Sequence, residues 1–151
     1  MTLPPPRNPD FARAVRDSFD SQALMSTIGA ELLSVQPGAV EIRVPWRKDL
    51  TQQHGFLHGG IVTSLLDTAC GYSAFSLMPP DAGVLSVEFK VNLMAPAKGD
   101  RLIARGQVLR SGRTITVCRA DAFMEQGDRE VLVATMLATM MTILDRPDVS
   151  G

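Results

Sequence analysis

His58-Gly59-Gly60-Ile61-Val62-Thr63-Ser64-Leu65-Leu66-Asp67-Thr68-Ala69-Cys70-Gly71-Tyr72-Ser73-Ala74 decides how this chain is read. From Ile61 the bulky apolar residues recur in pairs, at Ile61/Val62, Leu65/Leu66 and Ala69/Cys70, and again at Leu77. That is the helical period with one broad buried stripe. Asp67 falls beside the stripe, and its neighbours a turn or two away, Gly60, Thr63, Ser64, Gly71 and Ala74, are all small. Such a face lets a partner backbone or a ligand approach the carboxylate. A structural hydrogen bond would also account for an aspartate here. Yet Asp is a middling helix former that is rarely buried without a partner, and the functional reason outweighs the structural one.

The helix opens on a histidine and two glycines, which expose backbone N–H groups at the positive end of the helix dipole. Such an end can hold an anion or a developing oxyanion. Glycine's freedom in a tight turn explains the pair equally well on its own. Asp67, two turns further on, raises the catalytic option.

Working outward, 151 residues make one domain, long enough to bury roughly two-thirds of its unfolded surface. The net charge of -1 and the scattered basic residues give no nucleic-acid face. Cys70 and Cys118 form neither a disulfide framework nor a metal spacing, which fits reduced thiols in a cytoplasm. Met1 to Pro6 lacks the basic start and apolar core of a leader, and no apolar run is long enough to span a membrane.

Residues 1–27 are expected to form a helical lead, 28–145 the domain and 146–151 a loose tail. Thr2 to Pro6 is a loose proline-rich start, and Asn8-Pro9-Asp10 supplies a cap, a proline at the first helical position and an acid for a helix carrying Phe11, Val15 and Phe19. Ser21 to Ile28 holds another helical turn before Gly29. Glu31–Gln36, the Pro37-Gly38 turn and the alternating Val40, Ile42 and Val44 form a hairpin, and Trp46 to Gly55 is a polar loop. After the Pro79–Gly83 break come four strands, around Leu85–Leu93, Leu102–Arg110, Arg113–Met124 and Val131–Leu144. Their short connections imply an antiparallel four-stranded meander. The fold class is therefore α+β, a sheet wrapping one helix.

His58-Gly59-Gly60…Asp67…Gly71, with Gln52-Gln53-His54-Gly55-Phe56-Leu57 before it and Ser86-Val87-Glu88-Phe89…Ala95-Pro96-Ala97…Gly99-Asp100 after it, resembles the hotdog-fold acyl-CoA thioesterases of the PaaI type, in the 4HBT-like superfamily. The resemblance covers about Ile28 to Thr142. It implies a long central helix wrapped by a five- to six-stranded antiparallel sheet. It also implies a homodimer joined edge to edge, often a homotetramer, with active sites at the dimer interface. In that light Asp67 matches the catalytic carboxylate, Gly59 the N–H that polarises the thioester carbonyl, His58 the start of the motif and Ser86 a hydroxyl that positions water. Where several relatives have an asparagine upstream of the histidine, this chain has Gln52 and Gln53. Gly60, Phe56 and Leu57 are expected at the substrate, and Tyr72, Phe75 and Leu85 are candidates for setting pocket depth.

The implied activity is hydrolysis of a small, medium or aromatic acyl-CoA, with coenzyme A entering as part of the substrate and no other cofactor. Asp67 serves as general base or attacks to form an anhydride. Arg110-Ser111-Gly112-Arg113 sets two guanidiniums around a turn, with Lys98 in the preceding break, and arginine forks suit phosphate oxygens; a solvated hairpin tip explains them almost as well. His54 and His58 lack a third metal ligand and a helix to hold their spacing, and Met136, Met140 and Met141 are expected to fill core and interface gaps. The competing functions are a hotdog module that binds acyl-CoA without turnover, and a dehydratase, whose histidine-and-acid motif this chain lacks.

Overall fold

The quoted stretch is the central helix of the computed structural model, which describes residues 2–151. Helices α1 (Phe11–Ser21) and α2 (Ala23–Ile28) lead into strands β1 (Glu31–Gln36) and β2 (Ala39–Pro45). Helix α3 (Gly59–Phe75) follows, then β3 (Gly83–Leu93), β4 (Arg101–Ser111), β5 (Ile115–Gln126) and β6 (Arg129–Ile143). The six strands form one antiparallel sheet in the order β1-β2-β4-β5-β6-β3, wrapped on α3.

Side-chain size explains how closely sheet and helix approach. Leu65, Leu66, Ala69 and Cys70 of α3 are fully buried, and opposite them the sheet presents Ala104, Ala120, Ala122, Ala134 and Ala138. A Cβ added at Gly106 of β4 would land on the Ala69 carbonyl and 2.7 Å from Ser73 Oγ, so only glycine admits this approach. Met124, Met136 and Met140 fill the remaining space, as flexible thioethers do. Met141 instead stands on the outer face, paired opposite Leu85 and Ile115. The buried hydroxyls of Ser73 and Ser76 are satisfied by the Ala69 and Ser73 carbonyls, and Ser76 Oγ also accepts from Gly38 N–H.

Four expectations are corrected. First, the last four strands are not a meander. β4, β5 and β6 are, but β3 crosses to the far edge and pairs with β6, while β4 pairs with β2. The connecting residues walk across strand ends, with Met94 N–H on the Val133 carbonyl and Asp100 N–H on that of Glu125. A connection of that length, extended, covers roughly 23 Å, more than the roughly 14 Å across three strand spacings. Second, Asn8 does not cap α1: its side chain accepts from Asp10 N–H, forming a turn that places Pro9 before the helix. Third, the lead from Thr2 is not wholly loose, since Leu3 packs on the core. Fourth, the tail is not loose: Pro147–Val149 forms a 3-10 turn and Gly151 N–H donates to the Ala82 carbonyl.

β3 is an edge strand. It hydrogen-bonds to β6 alone among the described residues, and Leu85, Val87, Phe89 and Leu93 along it are exposed. A bare, apolar edge is what proteins otherwise shield. No helix of the described residues is long and apolar enough to cross a membrane.

Candidate active site

Asp67 stands half-buried on α3, facing the edge strand, where Ser86 Oγ donates to its Oδ1 at 2.7 Å. Around it opens a cavity of about 440 Å³ whose lining includes Ser64, Thr68, Gly71, Tyr72, Val84 and Ser86. The small helical residues do here what their size suggests: nothing lies within 4 Å of a Cβ built on Gly71.

The other end of the motif lies elsewhere. His58 is the N-cap of α3 and its Nδ1 accepts from Gly60 N–H at 2.8 Å, so a neutral His58 carries its proton on Nε2. Val62 and Ile61 N–H groups turn to the His58 carbonyl. Gly59 N–H is left without a partner among the described residues. It borders a separate cavity of about 210 Å³ with Gln52, Phe56, Leu57 and Leu93. A Cβ on Gly59 would come 2.8 Å from Leu93 Cδ1. Within one chain Gly59 and Asp67 are separated by roughly 12 Å of helix rise.

Both ends nevertheless abut the same strand edge. Ser86 and Leu93 lie an odd number of residues apart, which ordinarily puts side chains on opposite faces. The β-bulge between Ser86 and Glu88 removes one step, so Ser86 pairs with Met140 and Leu93 with Ala134, and both side chains face α3.

A sequence model of the thioesterase superfamily matches residues 54–131, which spans both glycines, Asp67, Ser86 and the edge strand.

The chain belongs to the thioesterase superfamily.

A solved thioesterase family protein of Silicibacter pomeroyi is 51% identical, with a TM-score of 0.87 over 88% of this chain and 98% of that one. The PaaI protein of the E. coli phenylacetic acid degradation operon superposes with a TM-score of 0.81 over 91% of this chain and 96% of its own, at 20% identity, a likeness of fold. A 1,4-dihydroxy-2-naphthoyl-CoA hydrolase of Listeria monocytogenes is 28% identical over 94 residues, 62% of this chain and 76% of that protein. The fold is the hotdog fold, and the enzyme class is thioester hydrolase.

The remaining expected residues divide by place. Gln52 lines the Gly59 cavity and its side-chain oxygen accepts from His54 N–H, whereas Gln53 points to solvent outside that cavity. Leu57 is core rather than open surface, with its N–H on the Ala97 carbonyl; Phe56 is half-buried beside it. Gly60 is exposed beside His58 and Ser64. Lys98 and the Arg110–Arg113 tip do not converge in one chain of this thioesterase: Lys98 precedes the start of β4 and the tip follows its end, roughly 33 Å of extended strand away. Tyr72 lines the Asp67 cavity, Phe75 lies under Gly151, and Leu85 faces outward.

Sequence reasoning missed a polar cluster on the same cavity. Tyr72 Oη lies 3.2 Å from Ser18 Oγ and accepts from Gln22 Nε2 at 3.4 Å, and Thr68 Oγ1 donates to Gln22 Oε1 at 3.4 Å. Burial raises the Tyr72 phenol, with the hydrogen bonds to Ser18 and Gln22 opposing it. Part of the signal lies in the residues: Thr68 and Tyr72 are one turn apart on α3, and Ser18 lies on α1 with Gln22 at the cap between α1 and α2. Cys70 and Cys118 are buried in the core, and burial raises both thiols, Cys118 to about 12, the surroundings of structural rather than reactive cysteines.

Proposed function

We propose that this chain hydrolyses acyl-CoA thioesters at sites shared between two copies, with Asp67 as general base and the partner's Gly59 N–H as oxyanion donor. The observation carrying this reading is that Asp67 touches β3 at Ser86 while Gly59 touches it at Leu93, on one face of an unpaired edge. A two-fold axis near Phe89 and Lys90, midway between them, pairs β3 with its copy antiparallel and exchanges the two positions. Asp67 of one copy then faces the partner's Gly59. The same axis covers Val87, Phe89 and Leu93 and brings the partner's Lys98 to the end of the sheet where Arg110 and Arg113 stand, a cationic set suited to the phosphates of coenzyme A. A homotetramer is a pairing of two such dimers.

The chemistry follows from the groups present. Asp67 takes a proton from a water held beside Ser86, and the oxygen of that water bonds to the thioester carbon. Charge builds on the carbonyl oxygen and is met by the Gly59 N–H, an arrangement worth roughly 3 kcal/mol per donor. When the tetrahedral centre collapses the C–S bond breaks, and the departing thiolate recovers the proton from Asp67. The reaction draws on these side chains and amides with no further cofactor. A cavity of about 440 Å³ suits a small or medium acyl group, and the Ser18, Gln22, Thr68 and Tyr72 cluster lends support to a polar or aromatic one, as does the hydrolase of dihydroxynaphthoyl-CoA among the relatives.

A panel of aliphatic and aromatic acyl-CoA esters, monitored for free thiol, tests the reading. Turnover of at least one ester by the intact protein is expected, with Asp67→Asn losing about 10² to 10⁴ in kcat while substrate still binds. Thiol release unaffected by Asp67→Asn would remove Asp67 from the mechanism.

A further inference from the structure

We propose that the segment from Asp145 to Gly151 is the end wall of the acyl site and sets the longest acyl group the Asp67 cavity accepts, an inference that rests on the thioesterase reading above. After β6 the chain turns at Asp145, whose φ of 57° is left-handed, and the 3-10 turn Pro147–Val149 carries it back over the start of β3. The turn is braced internally: Val149 N–H reaches the Arg146 carbonyl at 2.9 Å, and the Arg146 guanidinium grips both oxygens of Asp148 at 2.8 and 2.6 Å. Gly151 N–H then donates to the Ala82 carbonyl at 3.2 Å, and Gly151 lies on the Phe75 ring.

Gly83 is fitted to this segment. Its φ is not among the left-handed ones, so backbone conformation does not call for glycine there. A Cβ at Gly83 would land on the Val149 carbonyl, and the atoms nearest to it are all Val149's. The residue that opens the edge strand is therefore small for the sake of a segment more than sixty residues later in the chain.

The wall stands where an acyl chain would end. Val149, Ser150 and Gly151 line the cavity together with Asp67, Gly71, Tyr72 and Val84. Phe75, which Gly151 covers, is two helical turns past Asp67, roughly 12 Å of rise. An acyl group with its carbonyl at Asp67 runs over the open surface of Gly71 and meets the strap. One backbone bond to Ala82, the contact on Gly83 and the Phe75 ring hold the strap in place, so it can be removed while the core of α3 and the sheet stays intact.

Three proteins separate this inference from the reading beneath it: the full chain, a chain ending at Leu144, and Gly83→Ala, which expels the strap without shortening the chain. Each is assayed on butanoyl-, octanoyl- and dodecanoyl-CoA for thiol release, and in parallel for binding by calorimetry, with melting temperatures as a check on folding. Both altered proteins are expected to raise kcat/KM for dodecanoyl-CoA relative to butanoyl-CoA by about tenfold or more, the scale on which a hydrophobic pocket weighs added methylenes. Butanoyl-CoA itself should change by less than about threefold. If the full chain turns over none of the esters yet its binding limit lengthens when the strap is displaced, the hydrolase reading fails and the strap stands. A length profile unchanged in Gly83→Ala, in turnover and in binding, overturns the strap whatever the truncated chain does.

Discussion

Ser86 Oγ donates to Asp67 Oδ1 at 2.7 Å and so ties the edge strand to the central helix at the point where the cavity opens. In the proposed reaction Oδ2 is the oxygen left to act on a water, and the exposed Ser86 hydroxyl can accept from that water. Ser86→Ala is therefore expected to lower kcat by about tenfold with KM nearly unchanged, less than the about 10² to 10⁴ expected of Asp67→Asn. In a single turnover in ¹⁸O-water the label should enter the product acid. Label found in the Asp67 carboxylate would instead mean direct attack by Asp67 and an anhydride.

Gly59→Pro removes the N–H hydrogen and adds a ring whose Cβ would come 2.8 Å from Leu93 Cδ1, the end of an exposed side chain that can turn aside, and Gly59→Ala, which adds the same Cβ and keeps the N–H, is its control. Proline is well tolerated at the first position of a helix, and His58, at φ -59° and ψ 138°, already has the extended backbone that must precede it. Gly59→Pro should keep the fold, judged by melting temperature, and lose about 10² to 10³ in kcat as the oxyanion donor disappears. Since the proposed site takes Asp67 from one copy and the N–H from the other, co-refolding Gly59→Pro with Asp67→Asn should restore activity that neither has alone. No recovery on co-refolding would end the shared-site arrangement.

How far this was legible in the residues depends on how local the signal is. The paired apolar residues of α3 and the alternation in each strand fix element type within a residue or two, because burial on one face imposes its period directly. Strand order is not local: the Met94–Asp100 connection looks like a hairpin break, and only its bonds to Val133 and Glu125 reveal a crossing. The same holds for the site. Asp67 and Gly59 stand out by residue type, but their relation through β3 depends on a bulge at Ser86/Glu88 that no residue there announces. Gly83 looks like the end of a turn and is instead the seat of the strap.

Gly106 tests the closeness of sheet and helix. A methyl there would strike the Ala69 carbonyl and Ser73 Oγ, both held in place by the helix they belong to. Gly106→Ala should destabilise by about 1–3 kcal/mol, the usual cost of overpacking a well-filled core. Urea unfolding reads this directly. A stability equal to or above the parent's would mean that the helix can lift off the sheet at no cost.

Glu130 gives the pH dependence its sign. Arg105 lies 4.8 Å over the Phe123 ring and sends its two terminal nitrogens to the Glu130 carboxylate at 2.7 and 2.8 Å, while its Nε reaches Glu41 at 3.1 Å. The hydrogen bonds from Arg105 hold Glu130 below the ordinary glutamate value of 4.5. A carboxyl whose folded value is lowered stabilises the fold fully above the unfolded value, and that contribution fades as pH drops through the folded one. Both side chains are more than a third exposed, at 39% and 38%, so solvent screens the pair and its worth is below about 1 kcal/mol. Glu130→Gln should thus unfold slightly earlier in urea at neutral pH. The gap should close as pH falls beneath the glutamate range, where the parent's own carboxyl is protonated. Arg105 keeps Glu41 in either case, which limits the loss further. A gap that persisted or widened in acid would assign the effect to packing on Phe123 rather than to the charge.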